Sequence, residues 1–207
     1  MRQAGPKLLR DETGGVLVEA TVMIVIIFVF VLGSVDFLMA MYQWNAAAKA
    51  VQVGARIAAV STPVATNVSA ITGMEGGNEA GTFPPPSYTT MTCNGTGDAG
   101  CSTAAMETIV FGRSNAAACG DATSFYDMGM CDVFPRVRPV NVRVSYAYSG
   151  LGFAGRPGGP VPTITVELQG LNFQFFFLGG LMGFGDIAIP SMRTSISGED
   201  LSSSAPP

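Results

Sequence analysis

The sequence predicts an α+β protein in which one long N-terminal transmembrane and spine helix packs on a small antiparallel β-sheet with disulfide-tied loops. Three observations lead to this fold class. An apolar run from Val16 to Val35 continues into helix-forming sequence that contains no proline before Pro63. Strand-like alternation of apolar and polar residues is confined to the C-terminal part of the chain. All four cysteines lie beyond the apolar run.

The composition excludes several classes of function. The chain has 207 residues, enough for one membrane anchor and one modest domain. Only 13% of residues are charged and the net charge is −4, so no dense basic surface is available for nucleic acid. The absence of histidine excludes Ser-His-Asp and Cys-His catalysis and histidine-containing zinc sites. We therefore expect no enzyme, no catalytic residue, no metal, no cofactor, no nucleic-acid partner and no small-molecule substrate.

The N-terminal region predicts a single membrane pass. Residues 1–14 form a short basic leader, and residues 15–36 form the transmembrane half of a helix. At a rise of about 1.5 Å per residue, Val16 to Val35 extends about 30 Å, the thickness of the hydrocarbon core. The positive-inside tendency places the leader in the cytoplasm and the rest of the chain on the other side. A cleaved secretory signal is disfavoured because its apolar region is usually only about 7–15 residues long.

A carboxylate lies one turn inside this apolar helix, at Glu19. In one interpretation, an ordinary anchor tolerates an acid near the edge of its span, where it reaches headgroup water. In the other, a peptidase cuts between Gly14 and Gly15 and leaves Glu19 as the fifth residue of the mature chain. The new α-amino group at Gly15 would then be mostly cationic at pH 7, and Glu19, or its copy in a neighbouring helix, would neutralise it.

Residues 37–62 predict the periplasmic half of the same helix. Apolar residues recur there at alternating steps of four and three, which is one helical stripe. We predict one helix from about residue 12 to about residue 60, roughly 70 Å long. Tyr42 and Trp44 would pack in the core as stripe residues, in preference to acting as interfacial anchors. The stripe consists of Phe37, Met41, Trp44, Ala48, Val51, Ala55 and Ala58.

Residues 63–136 predict a loop-rich segment that contains a short helix between Ser102 and Gly112, with Ser102 as its N-cap. The cysteine spacings lack the C-x2-C pairs of a four-cysteine zinc site, so disulfides are expected outside the cytoplasm. Four cysteines allow three pairings, and we favour nearest-neighbour pairing. That pairing joins Cys93 to Cys101 and Cys119 to Cys131.

Residues 137–198 predict an antiparallel sheet of three to five strands. Alternation is clear from Val140 to Tyr148 and from Thr163 to Gln169. After Gly170 the apolar parity shifts, which indicates a bulge or a new strand. The segment from Ile187 to Ile196 would close the sheet.

Two C-terminal segments need separate interpretation. For Phe175–Phe184 we favour a strand and return loop against the spine helix over an exposed tip that contacts a partner or the membrane. Residues 199–207 are rich in serine and proline and predict a disordered tail.

Three short motifs occur in a fixed order along the first part of the chain: Gly14-Gly15-Val16-Leu17-Val18-Glu19, then Asp36-Phe37, then Gly54-Ala55-Arg56. Over roughly residues 10–60 this composite pattern resembles the TadE/TadG-like family, whose members are minor pseudopilin-type proteins of the bacterial tight-adherence (Flp) pilus. The chain departs from the family at Ala20, where an aromatic residue often follows the glutamate.

The resemblance implies a pilin-like fold and cleavage by a prepilin peptidase after Gly14, with Glu19 as the characteristic acid. It implies a minor pseudopilin of the bacterial inner membrane, single-pass, with a cytoplasmic N-terminus and a periplasmic domain, and incorporation into the pilus left open. The partners would be the inner membrane, the peptidase, other pilus subunits and Tad assembly proteins. The alternative is a single-pass anchored extracytoplasmic binding domain outside any pilus. Helix residues expected to serve subunit contacts are Glu19, Asp36, Phe37, Trp44 and Arg56.

Overall fold

A computed structural model describes residues 12–83, 90–113, 119–120, 122–183, 187–198 and 201. The expectations for residues 1–11 and for all of the tail except Leu201 lie outside the described residues. The chain forms two compact units. The first unit comprises Met1–Met41 and Gln174–Ile187, and the second comprises Tyr42–Phe173 and Ala188–Pro207.

The longest element is helix α1, Glu12–Ala59, with 48 residues. Its bounds agree with the predicted helix from about residue 12 to about residue 60. Arg56 lies in the last turn, where a cation interacts favourably with the helix dipole. The helix ends shortly before Pro63, as expected from the restriction that a proline places on the residue before it.

The sheet of the second unit has four antiparallel strands in the order β1-β2-β3-β4. Val144 of β2 faces Cys93 of β1 on one side and Val166 of β3 on the other. The alternation predicted for β2 and β3 is confirmed, because their inward residues are buried. The strands are β1 Met91–Asn94, β2 Val142–Leu151, β3 Val161–Leu168 and β4 Met192–Ser197.

Among the described residues, three shorter α-helices accompany α1: α2 Thr103–Phe111, α3 Met130–Val133 and α4 Leu178–Met182. The predicted cap of α2 is confirmed, since the Ser102 hydroxyl accepts a hydrogen bond from the Ala105 N–H at 3.2 Å. The structure joins Cys93 to Cys101 and Cys119 to Cys131, which is the nearest-neighbour pairing. These bonds connect β1 and α3 to the loops beside them.

One hydrophobic core holds the second unit together. Small residues of α1 pack in it with inward residues of the sheet and of α2. The Arg136 guanidinium also reaches this region and donates to the Gln43 side-chain oxygen at 3.1 Å and to the Asn172 carbonyl at 2.6 Å. Core members include Ala47, Ala50, Val51, Ala55, Met106, Ile109, Val142, Val144, Tyr146, Ile164 and Val166.

The first part of the predicted stripe on α1 is wrong. Phe37, Met41, Tyr42 and Trp44 are exposed, whereas Val51, Ala55 and Ala58 are buried as predicted. At the start of the second unit the inward position is Gln43, which is buried and bonded to Arg136. The large apolar residues in this part of α1 lie on its exposed face, whereas the inward face continues through small residues that allow close packing. A prediction based on large apolar residues therefore selects the wrong face.

Several strand predictions are also corrected. Val140 is exposed in a 3-10 turn that begins at Pro139, so β2 starts at Val142. The strand considered after Gly170 does not form, and only an isolated bridge joins Asn172 to Ala188. The closing strand begins at Met192 instead of Ile187. Strand β1 lies in the segment that was predicted to be loop-rich.

Candidate functional site

The first part of α1 presents an apolar surface that the protein does not cover. Every residue from 14 to 31 is exposed, including Leu17 and Phe30, at 70% and 74%. The Thr21 hydroxyl donates to the Leu17 carbonyl at 2.7 Å and the Ser34 hydroxyl to the Phe30 carbonyl at 2.8 Å, so these polar groups are satisfied within the helix. Among the described residues, this is the one helix that is long and apolar enough to cross a membrane.

The predicted processing residues lie on the first turns of this surface. Gly14, Gly15 and Glu19 are all exposed. Added Cβ atoms at Gly14 and Gly15 would meet nothing within 4 Å. Within the described part of the chain, the Glu19 carboxylate makes no hydrogen bond or ion pair, so it is open to groups outside the chain. Gly15 and Glu19 are about one helical turn apart, so an α-amino group created at Gly15 by cleavage would lie within ion-pair distance of the Glu19 carboxylate.

The Asp36 carboxylate is a buried polar group of the first unit. It is fully buried and accepts three backbone hydrogen bonds. The Phe176 N–H donates to Oδ1 at 2.9 Å, and the N–H groups of Phe177 and Leu178 donate to Oδ2 at 2.9 and 2.6 Å. These are N–H groups at the start of α4, which have no partner inside that helix. Asp36 thus ties α1 to a segment about 140 residues further along the chain.

The sequence analysis placed Asp36 among helix residues for subunit contact and missed this internal role. No local signal connects the two segments, because nothing near Asp36 in sequence marks residue 176 as its partner. An aspartate directly after an apolar run is a signal that a buried partner is needed, since a carboxylate at that position loses water.

The segment around Phe175–Phe184 combines features of both interpretations made from sequence. Its backbone is tied to α1 through Asp36, as the favoured interpretation requires, but it forms the short helix α4 instead of a strand. Gly183, with φ +64°, ends α4 in the left-handed conformation. Phe176 is 65% exposed and Phe177 41% exposed, as the exposed-tip interpretation requires.

The remaining predicted contact residues lie on the surface. Phe37 is exposed in the first unit, and Trp44 is 38% exposed in the second. Arg56 lines a cavity of about 590 Å³ together with Arg113, Phe125 and Tyr126. Arg113 is held there by bonds from its Nη2 to the Val60 carbonyl at 2.8 Å and the Ser61 hydroxyl at 3.3 Å.

A family model described as TadE-like protein matches residues 14–56. This segment is TadE-like. The resemblance inferred from the sequence is confirmed over that range, which runs from Gly14 to Arg56 and includes Glu19 and Asp36. The match lies entirely on α1 and leaves the sheet, the disulfides and the α4 segment outside it. No significant match to this chain was found among curated proteins or among solved structures.

Proposed function

We propose that this protein is a non-enzymatic, membrane-anchored minor pseudopilin that takes part in the assembly of a Tad/Flp-type pilus for surface adherence. The observation that carries the proposal is the TadE-like match on a helix whose residues 14–31 are all exposed and mostly apolar. A surface of this kind requires lipid or neighbouring apolar helices to cover it. Other pilus subunits and Tad assembly proteins would supply those helices.

Charge and redox chemistry support the proposed orientation. The basic leader favours a cytoplasmic N-terminus in the bacterial inner membrane. Two disulfides in the second unit favour a periplasmic location, because disulfides persist in oxidising compartments.

Deletion of the gene, with complementation by the intact chain, tests the proposal. We expect loss of surface pili and of adhesion, measured by electron microscopy and by a surface-attachment assay. Normal piliation in the deletion strain would contradict the pilus function and leave a single-pass anchored extracytoplasmic binding domain as the better interpretation.

The proposal includes processing by a prepilin peptidase after Gly14. Mass spectrometry of the protein purified from cells that contain the peptidase should give a chain that begins at Gly15. Gly14→Val should leave the leader attached. Gly33→Val is the matched control, because Gly33 lies on the same helix and an added Cβ there also meets nothing within 4 Å. A chain that still begins at Met1 in the presence of the peptidase would rule processing out.

Glu19 is expected to act through its charge, by pairing with the α-amino group that cleavage creates at Gly15 or with that group on a neighbouring subunit. Glu19→Ala and Glu19→Gln should both impair pilus assembly, because each removes the charge that offsets the ammonium group in an apolar surrounding. Thr21→Ala, two residues away on the same exposed helix, is the control and should assemble normally. A simple anchor would be nearly insensitive to all three changes.

A further inference from the structure

We propose that Phe176 and Phe177 form a second membrane contact, inserting into the interfacial layer of the bilayer that α1 spans, and that Asp36 is the positioning residue that holds them there. The inference rests on the membrane anchoring in the proposed function and not on the pilus. It assigns a role to a segment outside the TadE-like match.

The first step is the level of Asp36 relative to the bilayer. The apolar run of α1 ends at Val35, so Asp36 lies about 1.5 Å further along the helix axis, where α1 leaves the hydrocarbon. The backbone nitrogens of Phe176, Phe177 and Leu178 lie 2.6–2.9 Å from its carboxylate oxygens. This backbone is therefore held at the membrane boundary.

The second step concerns polar groups. A backbone segment enters an apolar layer only when its N–H and C=O groups have partners, and the first N–H groups of a helix have none of their own. Asp36 provides an acceptor for three of them at the start of α4. In return, three N–H donors stabilise a carboxylate that would be costly at this depth without them.

The third step concerns the side chains. Phe176 and Phe177 are exposed at 65% and 41%, although their backbone is bonded to α1. Phe37 and Leu38, the two residues after Asp36 on α1, are exposed as well. In the same compact unit, exposed apolar side chains thus occur both on α1 around the end of the span and on the segment that Asp36 bonds to it.

Continuity with the span identifies lipid as the occupant of this surface. Residues 174–187 contain no lysine or arginine, so the contact needs no anionic headgroup and depends on apolar burial. Zwitterionic phosphatidylcholine is accordingly the appropriate bilayer for a test.

The test uses the full chain reconstituted in phosphatidylcholine vesicles, with bromine on the acyl chains either near the headgroup or near the bilayer centre. Trp44 is the only tryptophan, so a Trp44→Phe background permits single tryptophan reporters. Phe176→Trp reports the proposed contact. Phe28→Trp lies about 12 Å deeper along α1 than Asp36 and reports the span. Phe125→Trp, at a 90% exposed side chain of the second unit, reports an aqueous position.

We expect the Phe176→Trp reporter to lose more emission with the shallow bromines than with the deep ones and to be shielded from aqueous iodide. The Phe28→Trp reporter should be quenched most by the deep bromines, and the Phe125→Trp reporter only by iodide. Quenching at position 28 with none at position 176 would overturn the inference and leave the anchor intact. Shielding of position 176 from iodide without bromine quenching would mean that protein covers it, and would also overturn the inference. Absence of quenching at position 28 would overturn the anchor itself.

The role of Asp36 is tested in the background of the Phe176→Trp reporter. Asp36→Ala removes the acceptor for three N–H groups and should reduce the shallow quenching at position 176, while the same change in the Phe28→Trp background should leave quenching at position 28 unchanged. Asp36→Asn keeps one acceptor oxygen and should give intermediate quenching. Unchanged quenching in Asp36→Ala, with the fold verified by circular dichroism, would show that another group positions the segment.

Discussion

At the scale of single residues, Tyr146 links the sheet to the segment that follows the long helix. Its side chain is fully buried, and its hydroxyl oxygen accepts a hydrogen bond from the Val64 N–H at 2.8 Å. Burial raises the pKa of Tyr146 to about 12. The residue therefore contributes both a hydrogen bond and a pH dependence to the stability of the second unit.

Tyr146→Phe should lower the free energy of unfolding by about 1–3 kcal/mol, because the buried Val64 N–H loses its acceptor. Urea denaturation of the purified protein in detergent measures this loss. Tyr126→Phe, at an 84% exposed side chain, is the control and should be near neutral. A neutral Tyr146→Phe variant would show that another acceptor replaces the hydroxyl.

The same residue predicts an alkaline transition. Tyr146 ionises near pH 10 in the unfolded chain and near pH 12 in the fold, so its folded pKa is the raised one. Its contribution is complete below pH 10 and decreases as the pH rises from 10 to 12. Thermal denaturation across this range should show a shallower pH dependence in Tyr146→Phe than in the unsubstituted protein.

Glu75 predicts a loss of stability at acid pH, in contrast to the loss at alkaline pH that Tyr146 predicts. The Thr72 N–H, which donates to its carboxylate at 2.7 Å, lowers the pKa of Glu75 to about 2, and the Thr72 hydroxyl at 2.9 Å adds to this. The contribution is present above the ordinary pKa of 4.5 and is lost as the pH falls towards 2. Glu75→Gln should lower the stability of the second unit at pH 7 and have little effect on it near pH 2. Glu79→Gln, in the same loop, is the control in thermal melts.

At the scale of elements, the packing of α1 on α3 depends on Gly54. A Cβ at this position would lie 2.5 Å from the Met130 sulfur, inside van der Waals contact, and Met130 is fully buried. This gives a physical reason for the glycine of the Gly54-Ala55-Arg56 motif. A larger residue would require the buried Met130 side chain or the two elements themselves to shift.

Gly54→Val should therefore destabilise the second unit by about 1–3 kcal/mol through overpacking. Met130→Ala removes the obstructing side chain, so the double variant should be more stable than the sum of the two single changes predicts. Gln52→Val, at an exposed position of α1 in the same unit, controls for the introduction of a β-branched residue into the helix. Strict additivity in the double-mutant cycle would contradict a direct contact.

Elements in which apolar residues recur with one period over many residues could be predicted from the sequence. α1, β2 and β3 each repeat one pattern over many residues, so the presence of all three elements and the inward residues of β2 and β3 could be identified. On α1 the inward face was predicted correctly only at Val51, Ala55 and Ala58. β1 has only four residues and acquires its identity by pairing with β2, which no local pattern reveals. The same limit applies to the site: Glu19 and the glycines are visible as a local motif, whereas the bonds from Asp36 to the start of α4 depend on the tertiary fold.

At the scale of the whole molecule, the core belongs to one unit. Every buried member of the hydrophobic core, from Ala46 to Ile189, lies in Tyr42–Phe173 or Ala188–Pro207. Both disulfides lie there as well. The described residues of the first unit belong instead to the first part of α1 and to the segment that Asp36 ties to it. Stability of the second unit should therefore not require the first 41 residues.

A fragment of residues 42–207 tests this division. We expect it to unfold cooperatively with both disulfides formed, because it retains the complete core and the β1–β4 sheet. The amides of Phe176, Phe177 and Leu178 should exchange with solvent much faster than in the full chain, since their acceptor, Asp36, is missing. Circular dichroism and hydrogen-exchange mass spectrometry measure the two effects, and full-length Asp36→Ala is the matched control for the second. A fragment without a cooperative transition would show that α1 before residue 42 is part of the folding unit, and equal amide protection would contradict the role assigned to Asp36.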